Sequence, residues 1–452
     1  MKTRFWMLIA CMVATFSLEA QQDLTLYDLR SVPQANQINI SRMPYCRAYV
    51  SLPVISGVYV SPYNQGFAYS DLFYVDDTNA LRMDMPKAIS QMDDLNDLGI
   101  DFRTTLLGFG FRTGASYITF NVEEKISGRF TYPKTLFEFM WYGNGHPDYI
   151  GQRLALDGLG GDYMQYTEFS LGFARDLNEK WSAGIRAKYL SGLANLQTTD
   201  TRLGLTTNPD DYSIKLDGAM SYRSAGAMTA ILDSNVEFMD AVTQSITGNY
   251  GFAADLGVTY HATEKLSLSL AVNDLGFISW NSNVVNGTSN DVEYYYDGED
   301  LNDWINGGAS GNGTGITRVL DSILEGIEFE EDNNPYTTTL PVKTYLGVNY
   351  QLFKKTDANL LTYNEFYNGT WRSSFKVGVT QKVRNWFAAT VNYSIYGRSY
   401  ANVGLGLSAN AGPVQLYVVS DNVLAYAFPT EVRNFHLRFG LNLTFANNFG
   451  QK

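Results

Sequence analysis

Along much of this chain, apolar residues occupy every second position. Near the C-terminus Phe435, Leu437, Phe439, Leu441, Leu443 and Phe445 alternate with Asn434, His436, Arg438, Gly440, Asn442 and Thr444. Period two is the mark of a β-strand, whose successive side chains leave opposite faces. The stretch from Phe435 to Phe445 matches the ~9–11 residues that a tilted strand needs to cross a bilayer. Its second face carries polar groups that a dry sandwich core would tolerate poorly. The same dyad returns upstream. Trp181, Ala183, Ile185, Ala187 and Tyr189 oppose Ser182, Gly184, Arg186 and Lys188, and Phe252 to Tyr260 oppose Ala253 to His261. Leu266 to Val272, Leu346 to Leu352 and Phe375 to Val379 repeat it.

A soluble sandwich also alternates, so the connections must decide. Tight turns are expected at Thr113-Gly114, Leu177 to Lys180, Ala262 to Lys265, Phe353 to Thr356, Arg384-Asn385 and near Gly412. Between them fall connections at about 62–99, 129–161, 197–250, 279–336, 368–371, 397–399 and 423–432. Short turns taking strict turns with mostly longer loops is the layout of a bacterial outer-membrane barrel. The expected fold class is therefore all-β: a transmembrane antiparallel barrel of about 14 strands, an even number with both termini in the periplasm. A hairpin near Ser213 to Tyr222 could alter that number by two.

Three outer loops are expected to hold short helices. Pro86 to Leu98 places Ile89, Met92 and Leu95 at helical spacing, with Asp84 as a cap and Pro86 in the first turn. Pro133 to Trp141 and Ile316 to Ile327 carry similar apolar stripes, which would pack over the barrel mouth or within the loops themselves.

Lys2 and Arg4 precede an apolar run from Phe5 to Leu18, and Ala20 offers a small residue for cleavage, so residues 1–20 read as a secretory signal peptide. Leu8-Ile9-Ala10-Cys11 fits a lipobox, but the apolar run continues past Cys11. Residues 21–45 are extended and polar, a segment that would plug the lumen or trail in the periplasm. The barrel would occupy 46–446, and 447–452 would form a tail. Cleavage leaves Cys46 alone, which excludes an intramolecular disulfide and suits a small apolar role.

Composition adds two points. Abundant Tyr, Phe and Gly with only 17% charged residues disfavours a helical protein. A net charge of −13 argues against a nucleic-acid partner, and most of it is local: between Ser279 and Tyr336 twelve acidic residues face one basic residue, Arg318.

Catalytic and metal signatures are missing from the sequence. His146, His261 and His436 stand far apart without metal-ligand spacing, and His261 and His436 should lie at opposite ends of the barrel. No Ser-His-Asp set is indicated, so no enzyme activity is expected. Gly158-Leu159-Gly160-Gly161 lacks the Lys-Ser/Thr of a phosphate loop and is placed in an outer loop. Asp297, Glu299, Asp300 and Asp303 could gather Ca²⁺ but depart from EF-hand spacing, and a solvated acidic loop is the plainer reading. Asn286-Gly287-Thr288, Asn312-Gly313-Thr314 and Asn368-Gly369-Thr370 are nominal glycan acceptors better read as turn residues. Alternation assigns Arg186, Lys188, Asp255, Lys343, Lys376 and Arg438 to the lumen, where buried charges must pair or meet water. A structural network is the expected role, and no residue is assigned to a catalytic, cofactor or metal site.

Several stretches carry a family resemblance: Leu26-Tyr27-Asp28-Leu29-Arg30-Ser31-Val32-Pro33-Gln34-Ala35-Asn36-Gln37, Leu52-Pro53, Ser56 to Val60, Gly66 to Leu72, Lys188 to Gly192 and Arg438 to Phe445. Together they resemble an uncharacterised family of Bacteroidota outer-membrane barrels, similar to the fatty-acid-channel (FadL-like) superfamily and to PorV-like barrels. The resemblance implies 14 strands in the outer membrane. It also implies either uptake of a hydrophobic or small compound through a plugged barrel, or service as a non-transporting partner in an envelope secretion or assembly complex. The partners that follow are membrane lipid and lipopolysaccharide, the barrel-assembly machinery during insertion, and other envelope proteins. A channel for hydrophobic compounds should show an apolar pocket near its outer mouth.

Overall fold

A computed structural model describes residues 23–232, 236–296, 327–384, 386–396 and 399–447. Among them fourteen antiparallel strands form a closed wall. We number them β1 (Cys46–Ser51 and Val58–Asn64), β2 (Leu95–Thr113), β3 (Ser116–Pro133), β4 (Gly160–Asp176) and β5 (Trp181–Thr207). There follow β6 (Tyr250–His261), β7 (Leu266–Trp280), β8 (Tyr336–Thr339 and Val342–Phe353), β9 (Thr356–Tyr367) and β10 (Thr370–Arg384). The last four are β11 (Phe387–Tyr396), β12 (Ser399–Ala411), β13 (Val414–Ser420) and β14 (Leu437–Asn447). Each pairs with its chain neighbours, and β1 closes the ring on β14, with Tyr49 opposite Thr444 and Val58 opposite Phe439.

The dyads fall as expected. On β5, Trp181, Ile185 and Tyr189 point outward and are exposed, while Arg186, Lys188 and Leu190 point inward and are buried. On β10, Phe375, Val377 and Val379 face out against buried Ser374 and Lys376. Outward aromatic pairs mark both margins of the apolar belt: Trp181 with Tyr260 near the short turns, and Phe366 with Trp371 near the long loops. Such girdles are typical of barrels that meet lipid, whose short turns lie in the periplasm.

Several strands run past the predicted loop boundaries. β5 is 27 residues long. Its upper half pairs with a further strand, Ile214–Gly226, and this in turn pairs with Val285–Tyr296. These strands build a sheet above the belt, so the expected hairpin near 213–222 exists without changing the strand number of the wall.

The longer loop helices are α1 (Met85–Gln91), α2 (Lys134–Tyr142), α3 (Ala227–Leu232) and α4 (Phe238–Gly248). α1 is capped by Asp84, whose side chain accepts the Lys87 N–H at 3.0 Å, and carries Pro86 in its first turn. It ends at Gln91, because residues from Leu95 onward join β2 instead of continuing the helix to Leu98. α2 begins one residue past Pro133. The expected helix at 316–327 lies outside the described residues except for Ile327. The signal peptide, the acidic group 297–303 and the Asn312 motif lie wholly outside them. Asn286 to Thr288 belong to a strand and not to a turn, whereas Asn368 and Gly369, with φ of 47° and 76°, do form one. Gly160 and Gly161 open β4 instead of lying in a loop.

One irregularity was not legible from alternation. β1 is broken: the six residues 52–57 stand opposite three on β2 and two on β14. The excess bulges outward, with Val54 at φ 67° and both Val54 and Ile55 exposed. It stays tied to both neighbours, through the Val54 N–H to the Thr105 carbonyl at 2.8 Å and the Leu441 N–H to the Ile55 carbonyl at 2.9 Å. Gly440 is required beside it, because a Cβ there would collide with the Ser56 carbonyl.

The apolar belt makes a direct prediction. Val377→Arg, near the middle of β10, should lower folding stability in lipid vesicles by about 2–4 kcal/mol, whereas Val377→Leu should be near neutral. Denaturant titration of folding into large vesicles would measure both, and equal stability would contradict lipid contact at this face.

Candidate functional site

The lumen holds the chain's own N-terminal segment. Residues 23–45 enter from the periplasmic rim, where Cys46 opens β1, and run inward towards the outer half of the barrel. Room for them is made by residues without side chains: a Cβ on Gly184 would lie 2.9 Å from Ile40, and one on Gly257 would lie 2.6 Å from the Asn39 amide oxygen. Leu24, Leu26, Leu29, Val32 and Ile38 are buried with wall residues that include Tyr345, Tyr363 and Tyr417. Fully burying such a side chain stabilises by about 1.5–3 kcal/mol.

Polar contacts fix the segment's register. Asp421 accepts the N–H groups of Leu24 and Thr25 at 3.0 and 2.7 Å. The Lys376 ammonium donates to the Leu24 carbonyl and to Asp28, both at 2.6 Å. Arg438 donates to Asp23 at 2.7 Å and to the Gln37 side chain at 3.0 Å, and Arg103 approaches Asp23 at 3.3 Å. Ser31 and Ser408 hydroxyls meet at 2.7 Å. The plug also braces the broken strand, since Gln34 donates to the Ser56 carbonyl at 3.0 Å, where the wall's Tyr417 donates as well at 2.9 Å.

Beside the plug lies a polar chamber of about 30 Å³, bordered by Asp23, Arg103, Lys125, Glu168, Asp274 and Lys343 among others. That is room for about two water molecules. A buried ion network surrounds it. Lys188 reaches Asp255 at 2.7 Å, Asp274 at 2.5 Å and Glu168 at 3.5 Å. Arg186 pairs with Asp255 at 2.9 Å, Lys343 with Asp274 at 2.9 Å and Lys125 with Glu168 at 2.5 Å. Mutual pairing and hydrogen bonding offset the cost of removing these ions from bulk water.

All six lumen residues assigned by alternation are buried and in ion pairs, but they do not form one cluster. Arg186, Lys188, Asp255 and Lys343 join the central network, while Lys376 and Arg438 hold the plug. Of their carboxylate partners, Asp274, Glu168, Asp28 and Asp23 were not named from the sequence. Asp274 follows Asn273 directly, yet both side chains are buried beside the chamber, because the register slips between β6 and β7 and Asp274 takes φ 62°. Glu168 sits in a dyad with Phe169, Leu171 and Phe173, a signal that was present in the sequence. Arg103 and Lys125 lie on similar dyads, opposite Leu98, Ile100 and Phe102 and opposite Ile118, Phe120 and Val122, whereas Asp23 of the plug had no such mark.

The histidines are separated as expected. His261 ends β6 at a short turn, and His436 precedes β14 at the outer end. The His436 Nδ1 accepts the Asp421 N–H at 3.0 Å, and among the described residues no serine hydroxyl is hydrogen-bonded to its ring. Among these residues, too, no group of three or more His, Cys, Asp or Glu is placed to hold a metal ion. Cys46 is buried, with its Sγ 3.5 Å from the Tyr117 hydroxyl. The arrangement can hold charge, enclose a small polar space and clamp a segment.

Disrupting the network should be costly. Asp255→Ala leaves Arg186 and Lys188 short of a partner and should destabilise the barrel by about 3–5 kcal/mol. Replacing Arg186 and Asp255 together by Met and Leu should recover much of that loss. The midpoint of the heat-induced mobility shift would report it, and an unchanged midpoint for Asp255→Ala would contradict the network's structural role.

Comparison with known proteins adds the following. A family model described as a family of unknown function (DUF5723) matches residues 43–421. No curated protein matches. Among solved structures, the toluene transporter TbuX of Ralstonia pickettii is similar at 9% identity and a TM-score of 0.41, covering 92% of this chain and 94% of its own. The Pseudomonas putida toluene transporter TodX gives 10%, 0.39, and 96% and 99% coverage. A Pseudomonas aeruginosa FadL homologue gives 10%, 0.40, and 91% and 94%. At these values the likenesses carry no argument about function.

Proposed function

The chain belongs to the DUF5723 family, whose function is unknown, and on that footing we propose that it is a gated outer-membrane channel for a small compound, with residues 23–45 as the gate. The observation that carries this reading is the plug itself: a segment near the start of the chain, anchored to the wall by ion pairs, hydrogen bonds and buried apolar contacts, fills the bore. Joined covalently to the first wall strand at Cys46 and taking no part in strand pairing itself, such a segment can withdraw without unpairing any wall strand.

The character of the bore narrows the solute. The chamber walls are charged, which suits a small polar or ionised compound. Of the two solute classes that the family resemblance implied, hydrophobic or small, this reading takes the small one. The reading is of a non-catalytic protein, inserted by the barrel-assembly machinery and resident among lipid and lipopolysaccharide.

A second reading rests on the sheet that β5 raises above the belt. With the plug permanently seated, that structure would serve as a platform for other envelope proteins, and the barrel would be a partner subunit without transport.

One experiment separates the two. With Cys46→Ser as background, Ser31→Cys and Ser408→Cys place thiols where two hydroxyls now touch. Oxidation should lock the plug and abolish solute entry into proteoliposomes, and reductant should restore it. In parallel, Asp28→Asn removes the partner of Lys376. A loss of about 3 kcal/mol would raise the withdrawn population up to about a hundredfold, read as conductance across a planar bilayer. Entry that ignores the lock refutes the gate. A barrel that stays closed when reduced and with Asp28→Asn refutes transport.

A further inference from the structure

α4 rests on the outside of the barrel. Ser191 of β5 lies opposite Tyr250 of β6, and two residues nearer the periplasm Tyr189 lies opposite Phe252. Tyr189, Tyr250 and Phe252 are outward and exposed, and alternation places Ser191 on their face. Ser191 is nonetheless only 4% exposed, and its hydroxyl donates to the Ile246 carbonyl at 2.8 Å. The helix therefore covers the wall from the lipid side.

Its two long faces are reversed relative to a helix packed on a core. Small residues, Ala241 and Ser245, are buried towards the wall. Apolar residues look away: Met239 is 67% exposed, Phe238 51% and Ile246 50%. Met239, Val242 and Ile246 follow the i, i+3, i+7 spacing of one apolar stripe. The helix is held firmly in this attitude. Asn249, buried at its end, accepts the N–H groups of Asn281 and Ser282, both at 2.8 Å, and the Asn281 amide donates to the Gly248 carbonyl at 3.1 Å.

Height fixes what meets the stripe. Below α4 the outward residues are Phe169, Tyr189 and Phe252. At its level the outward face turns polar, since Glu124 accepts from Gln165 and Thr167 at 2.8 and 2.6 Å. Thr167 lies directly opposite Ser191. The stripe thus sits where the apolar belt gives way to polar surface, continuous with the belt.

We infer that α4 is an interfacial foot whose apolar stripe enters the boundary between acyl chains and head groups of the outer leaflet. No Lys or Arg occurs between Arg223 and Lys265, and Asp240 is the one charge on the helix. Attraction to anionic head groups is therefore not the source of binding, and burial of apolar surface is. This rests on the membrane placement proposed above, but not on transport.

Single nitroxide labels test it in full-length protein with Cys46→Ser, folded into dilauroylphosphatidylcholine vesicles. Labels at Met239→Cys and Ile246→Cys should collide several-fold more often with oxygen than with a water-soluble nickel chelate. A label at Gln244→Cys should show the reverse, and the difference should survive high salt. Val377→Cys, in the belt, is the internal reference. If Val377 favours oxygen while positions 239 and 246 favour the chelate, the foot is refuted and the barrel placement stands. If Val377 also favours the chelate, the placement itself fails. Dipolar broadening at Met239 would reveal a second copy seated on the stripe, which also overturns the inference. All three test positions are exposed, and retained heat-modifiable mobility would show that each variant folds.

Discussion

The pairing of β1 with β14 is the contact on which the rest depends. Hydrocarbon offers no partner to a bare N–H or carbonyl, so a sheet can stand in a bilayer only when its first and last strands satisfy each other. Here the seam is made by a strand that is itself broken. Cys46–Ser51 and Val58–Asn64 pair on both sides, and the intervening bulge keeps bonds to Thr105 and Leu441. Closing the ring also creates a bore whose buried charges cannot be left without partners. The plug, the ion network and the chamber are together the way this chain fills that space.

The division of labour between the two faces of the wall follows from the same constraint. Outward positions need only be apolar, and they are satisfied by Leu, Val and Phe with little regard to their neighbours. Inward positions must be solved individually. Lys188 needs three carboxylates from β4, β6 and β7, and Lys376 needs a carboxylate and a carbonyl from the plug. Plug and wall are in this sense one core.

The wall was legible because its rule is local: period two, a turn, period two again. Trp181 to Tyr189 and Phe435 to Phe445 announce their faces without reference to anything else in the chain, and the alternation of short and long connections supplied the number of strands and their direction. What escaped was whatever depends on distant partners or on a broken rule. The slip at Asn273-Asp274 hides a lumen carboxylate, and the break at 52–57 resembles an ordinary turn. α4 was missed for a different reason: its buried face is built from Ala241 and Ser245, too small to register as apolar, while its larger apolar side chains point away from the protein. The charged half of the lumen was read correctly as cations and one carboxylate, but Glu168, Asp274 and the plug's Asp23 and Asp28 complete it, and only the fold shows that they meet them.

The route of the N-terminal segment implies an order of assembly. Leu24 binds Asp421, a partner 397 positions away in sequence. In a disordered chain, closing so long a loop is unfavourable. Once the cylinder has zipped, the same contact is separated only by the stretch back to Cys46, and the entropic penalty falls by about 2.5 kcal/mol on a logarithmic loop scale. Threading therefore follows cylinder formation: the leading end slips up through the periplasmic mouth of a finished ring. Insertion leaves behind, for a time, an empty tube.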